Sequence, residues 1–158
     1  MSPWPCKKGH LLEYWTSSAK EGVGTAYHTS CRLWFTLSHG IINEIYYSNV
    51  DQPNTRDFQF LITDGESFSH EEKRDPDYQT EYPERDCLLY RQTSSERQRR
   101  YRIKHVLTDP HRSVLLVHTK VEILDKNLVG KLRLYALLAP TSLVTALMCD
   151  SAFLGSDT

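Results

Sequence analysis

The side chains that could carry chemistry fall into a basic run, seven histidines, four cysteines, two adjacent glutamates and a cluster of aromatic rings. Arg97, Arg99, Arg100, Arg102 and Lys104 form the densest local charge, and such a cluster can bind phosphate when a fold gathers it on one surface. Strand periodicity divides it differently. Arg100, Arg102 and Lys104 share one face and Tyr101, Ile103 and His105 the other, the pattern of a solvated outer face above an inward one. Residues 64–86 hold nine Asp or Glu against three Lys or Arg, so neutralising partners exist within the chain and no nucleic-acid partner is expected.

His10, His28, His39, His70, His105, His111 and His118 show neither H-x-x-x-H nor H-E-x-x-H spacing, so no metal is expected. Cys6, Cys31, Cys87 and Cys149 are far apart, without a C-x-x-C pair, and read as reduced thiols. There is no G-x-S-x-G elbow and no glycine-rich phosphate loop, so the residues call for no catalytic serine and no cofactor. Glu71 and Glu72 would point to opposite faces of a strand and cannot flank one scissile bond; both are expected in solvent. Trp34, Tyr46 and Tyr47 cluster across a predicted hairpin. Their rings can stack on a sugar or pack against a second domain, although plain cross-strand packing explains them more simply.

The elements that must position these groups are strands. Cys31, Leu33, Phe35 and Leu37 alternate with Arg32, Trp34, Thr36 and Ser38, and a second strand, Ile41 to Tyr47, follows a turn in which Gly40 supplies a positive φ. Phe58, Phe60 and Ile62 alternate up to Asp64-Gly65, a tight-turn dipeptide, and Glu66 to Glu72 is the expected returning strand. Further strands are expected at Leu88 to Thr93, Tyr101 to Leu107, Val114 to Ile123 and Leu132 to Ala139, with a turn at Asp109-Pro110-His111-Arg112. No amphipathic helix is evident between residues 24 and 140. The simplest architecture is an all-β antiparallel sandwich built from hairpins.

A length of 158 residues suits one core. The chain is 39% hydrophobic and 25% charged with a net charge of -1, ordinary for a globular protein and without long-range attraction to nucleic acid or anionic lipid. No apolar run has the length of a membrane span, and the N-terminus lacks a secretory signal, so no membrane partner and cytoplasmic residence are expected. Two segments depart from the strand pattern. The acidic stretch 64–86, with Pro76 and Pro83, is expected to include an exposed loop. The last eighteen residues carry only Asp150 and Asp157 as charges, a compositional break after Pro140.

Residues 24–47, GTAYHTSCRLWFTLSHGIINEIYY, followed by TRDFQFLITDG at 55–65, HEEKRD at 70–75, DPHR at 109–112 and LRLYALLAP at 132–140, form a distinctive ordered series. Together they resemble the N-terminal β-sandwich domain of prokaryotic glucoamylases and glucodextranases of glycoside hydrolase family 15. The resemblance implies a galactose-mutarotase-like supersandwich in front of a catalytic (α/α) barrel that hydrolyses α-glucan from its non-reducing ends with inversion. It also implies that the two catalytic glutamates lie in the barrel, so no glutamate of this chain inherits their roles and none of its residues is assigned as catalytic. Ser48 stands after the paired tyrosines where the family pattern has proline, a minor change in a turn.

The resemblance covers most of residues 15–140 and changes at Thr141. The expectation is a partial sandwich over 1–140, incomplete on its C-terminal side, with a divergent tail over 141–158 read in a shifted frame. A chain truncated in this way, without its barrel, is expected to be inactive alone. Its uncovered sheet edges are expected to drive self-association. α-Glucan or maltooligosaccharide is the expected ligand if the domain is instead a carbohydrate-binding module, and a structural β domain without ligand is the remaining alternative.

Overall fold

A computed structural model describes residues 18–25, 30–83, 89–98, 101–107 and 112–141, with side chains unassigned over 102–107. Cys6, Cys87 and Cys149, His10, His28 and His111, Arg99 and Arg100, most of the 109–112 turn and the tail from 142 lie outside the described residues, as do the side chains of Arg102, Lys104 and His105. Arg97 is described and exposed.

The described strands are β1 (Gly22–Thr25), β2 (Leu33–Ser38), β3 (Ile41–Tyr47), β4 (Pro53–Thr63), β5 (Ser69–Glu71), β6 (Asp77–Glu81), β7 (Tyr90–Ser95), β8 (Tyr101–Leu107), β9 (Val117–Ile123) and β10 (Arg133–Pro140). A single 3-10 turn at Lys126–Leu128 is the only helical segment among the described residues. One antiparallel sheet runs β1-β2-β3-β4-β10, with β5 also pairing β4, and a second runs β6-β7-β8-β9. All pairings are antiparallel, as the hairpin reading requires.

The sheets face each other across two apolar clusters. Phe35, Leu37 and Ile42 of the first sheet meet Tyr90 of the second, with Leu115 and Val117 packed against them. Phe60 and Ile62 likewise meet Tyr101, with Val121 alongside. Phe35 stands edge-on to Tyr90 with ring centroids 6.0 Å apart, a favoured aromatic geometry. Each buried ring of this kind contributes about 1.5–3 kcal/mol through loss of apolar surface from water.

The β2–β3 turn places both His39 (φ 54) and Gly40 (φ 71) in the left-handed region, which matches the twist of a two-residue hairpin. A Cβ on Gly40 would also stand 2.6 Å from Tyr78 Cβ, so glycine is required on two counts.

The second turn departs from expectation. The Asp64 carboxylate accepts the N–H groups of Glu66, Ser67 and Phe68 at 3.0, 2.8 and 3.1 Å. Those donors are unavailable to a strand ladder, so the chain returns to β4 only at Ser69–Glu71 instead of from Glu66. The described part of the acidic stretch, residues 64–83, is largely exposed but contains β5 and β6. β1 has no counterpart in the sequence reading, because GVGT offers too little alternation.

Glu72 is the clearest correction: it is buried at 3% exposure rather than solvated. Its carboxylate accepts Phe60 N–H at 3.1 Å and Ser94 Oγ–H at 3.0 Å, tying the two sheets together. Period two predicted that Glu71 and Glu72 separate, but not that the inward member would find donors there.

Candidate functional site

The outer face of the first sheet carries a connected polar surface. It begins with a defect in strand pairing. Thr36 pairs with Glu44 but Leu37 pairs with Ile42, so Asn43 is an extra residue in β3. A bulge of this kind shifts the phase of alternation. Ile42 and Ile45 can therefore both serve the core, while Asn43 and Glu44 both reach Lys20 on the other side: Lys20 Nζ donates to Asn43 Oδ1 at 2.5 Å and contacts Glu44 Oε2 at 2.8 Å.

Asn43 and Glu44 are 0% and 1% exposed, a position that an amide and a carboxylate tolerate only with partners. Ser18 Oγ–H donates to Asn43 Oδ1 at 2.7 Å, and Asn43 Nδ2–H donates to Asp57 Oδ1 at 3.0 Å. The Tyr46 hydroxyl donates to Glu44 Oε2 at 2.6 Å. Burial, followed by this bond to a carboxylate, pushes the Tyr46 hydroxyl well above the ordinary tyrosine range.

The network continues across β4. Asp57 is held by Arg56 Nε at 3.0 Å and Lys73 Nζ at 3.1 Å. Gln59 donates to Glu71 Oε1 at 2.6 Å and accepts Lys73 N–H at 3.2 Å, and Arg74 Nε stands 3.2 Å from Glu71 Oε2. A groove of about 370 Å³ opens here between His39, Arg56, Asp57, Lys73 and Arg74, bordered by Leu137 to Ala139 of β10.

Each groove carboxylate is engaged by a cation and a neutral donor. That arrangement fixes positions and presents a hydrogen-bonding surface; it does not leave a free base beside a nucleophile. Among the described residues no three His, Cys, Asp or Glu side chains gather as metal ligands. His70 instead pairs its Nδ1 with the Tyr101 hydroxyl at 3.0 Å. Cys31 is a buried, reduced thiol whose Sγ lies 3.6 Å from the carbonyl oxygen of Arg112.

The aromatic cluster is only partly assembled. Trp34 and Tyr46 lie directly opposite each other on β2 and β3, on the face that carries Glu44. Tyr47 pairs with Leu33 and points to the other side. Tyr46 is 7% exposed, Tyr47 52%, and Trp34 half-buried. Sequence reasoning missed Asn43, Glu44, Asp57 and Lys73. Its available signal was the polar pair Asn43-Glu44 between two isoleucines and Ile45, which breaks period two where a bulge is needed.

Comparison with known proteins agrees with this architecture. Residues 9–157 match the family described as glucodextranase, domain N. The chain is 36% identical over 115 residues to a glucoamylase of Clostridium sp. (strain G0005), covering 72% of this chain and 16% of that protein. It superposes on the crystal structure of a bacterial glucoamylase complexed with acarbose with a TM-score of 0.75 and 34% identity, covering 80% of this chain and 19% of the other. This chain therefore spans less than a fifth of either relative. No helix among the described residues is long and apolar enough to cross a membrane. With its antiparallel all-β architecture and a family match over nearly its whole length, the chain belongs to the glucodextranase domain N family.

Proposed function

We propose that this chain is the N-terminal accessory domain of an inverting, exo-acting α-glucan hydrolase of glucoamylase type, and that it does not hydrolyse glucan by itself. The observation that carries this reading is the asymmetry of the structural match: 80% of this chain corresponds to 19% of a glucoamylase. Inverting hydrolysis needs one carboxylic acid to protonate the leaving oxygen and one carboxylate to activate water from the opposite face. The described carboxylates of the outer face are instead engaged in ion pairs and hydrogen bonds, which suits a supporting surface. The reading assigns chemistry to a linked (α/α) barrel and assigns Trp34, Tyr46 and Tyr47 to contact with that barrel or with glucan.

The test is glucose release from maltooligosaccharides by the 158-residue chain alone, followed by polarimetry for the anomer released. The expected result is none; release of glucose by the purified chain would overturn the proposal. Calorimetry with the same oligosaccharides separates support from binding. Heat of binding abolished by Trp34→Ala would make the domain a carbohydrate-binding module, a reading favoured by the half-buried Trp34 ring on the face that leads to the groove.

A further inference from the structure

β4 changes its neighbour part of the way along. It pairs with β3 as far as Ile42 and Phe58, and with β5 from Leu61 and Glu71 onward. At the handover Phe60 turns its backbone to Glu72, just beyond β5: Glu72 N–H donates to the Phe60 carbonyl at 3.0 Å, and the Glu72 carboxylate accepts Phe60 N–H at 3.1 Å. The divergence of β3 from β5 leaves a cavity of about 10 Å³. Ile42, Phe58, Phe60 and Glu72 line it from the first sheet's side, and Gln92 and Val117 from the second sheet. Phe58 packs against both apolar clusters, so the cavity lies on the seam between them.

Gln92 brings an unmet demand to this seam. It stands on β7 between the inward-facing Tyr90 and Ser94, and it is 1% exposed. Its Nε2 is buried and has no hydrogen-bond partner among the described residues. Folded proteins rarely leave a buried donor in that condition, since it has given up its hydration for nothing. The common remedy is an internal water, which needs about 10–15 Å³ and at least two polar partners.

We propose that this cavity is a binding site for one water molecule, which accepts a hydrogen bond from Gln92 Nε2–H and donates one to the Glu72 carboxylate. This goes beyond the accessory-domain reading and does not depend on it. The volume admits one water and no organic ligand. Glu72 accepts Phe60 N–H on one oxygen and Ser94 Oγ–H on the other, and a carboxylate offers about four acceptor sites, so it can take the water as well. The two sheets are then joined at their seam both directly, through Ser94 and Glu72, and through solvent.

A crystal structure of the 158-residue chain at a resolution that shows ordered solvent is the test. It is expected to place one oxygen-sized peak about 2.7–3.2 Å from both Gln92 Nε2 and the Glu72 carboxylate. Gln92→Met keeps the length of the side chain and removes the donor. Its structure is expected to lose the peak, with the far-ultraviolet circular dichroism of the β fold retained; if this variant does not fold, the wild-type peak decides. Four results would each overturn the proposal: no peak in the wild type, a peak with the oxygen contacts of about 2.3–2.6 Å that mark a cation, a Gln92 amide bonded to a protein acceptor instead, or a peak that persists in Gln92→Met.

Discussion

Tyr46→Phe separates the structural role of this residue from any role in contacting a ligand, because it removes only the hydroxyl. That hydroxyl donates at 2.6 Å to the carboxylate of Glu44, a group 1% exposed. Hydrogen bonds to charged groups contribute about 1.5–3 kcal/mol, and a buried acceptor deprived of a donor carries the full desolvation penalty. Lys20 Nζ, 2.8 Å from the same oxygen, still neutralises the carboxylate in the variant, which places the loss toward the lower part of that range, about 2 kcal/mol. For a chain of this size that lowers Tm by about 4–8 °C and the urea midpoint by about 1 M.

The assay is urea unfolding followed by tryptophan fluorescence, carried out at fixed protein concentration because association adds to apparent stability. Tyr47→Phe is the control, since Tyr47 is 52% exposed and its change should stay within about 0.5 kcal/mol. The pH dependence has a definite sign. The Tyr46 hydroxyl is held above its ordinary value by burial and then by Glu44, so its contribution is complete below about pH 10, where the unfolded tyrosine begins to ionise, and is lost as pH rises further. Equal unfolding midpoints for the two phenylalanine variants would refute the reasoning, showing that Glu44 gains nothing from this donor.

Three further outcomes follow from the packing and the turns. Phe35→Ala, at the junction of the two sheets with the ring 4% exposed, is expected to cost about 3–5 kcal/mol in urea unfolding; a loss below 1 kcal/mol would mean the sheets do not meet there. Gly40→Ala, at φ 71 beside Tyr78, is expected to destabilise by about 1–3 kcal/mol, and an unchanged midpoint would show that the turn relaxes freely. Asp64 is held below the ordinary carboxylate range, first by the Ser67 hydroxyl and then by backbone N–H groups of its loop. Its contribution is present above the unfolded carboxylate range and lost as pH falls through the depressed value. Carbon-detected titration of Ser67→Ala should move Asp64 upward, and no movement would remove the hydroxyl from the account.

The strand order along the chain was legible because period two is written in residues such as Phe58, Phe60 and Ile62, whose burial needs only an alternating face. The β2–β3 turn was legible through Gly40, since backbone geometry there is a local property. The Asp64 loop was misread as a tight turn because Asp64-Gly65 permits two geometries, and capture of three N–H groups by one carboxylate selected the wider one.

The inner face of β7 shows where local pattern stops. Tyr90, Gln92 and Ser94 are all buried, although only the first is apolar, and Ser94 is satisfied there by Glu72, which lies just beyond β5. The outer network behaves likewise. Glu44 and Asp57 have partners nearby in Tyr46 and Arg56, but their lysine partners Lys20 and Lys73, 24 and 16 positions away, come within reach only once the strands are in register. By itself the sequence determined most of the strands, their family and the absence of a composition suited to nucleic acid, all of which depend on residue type and short spacing. Tertiary structure alone decided which charges are buried and where the groove opens, because burial and pairing are set by segments that the chain brings together only on folding.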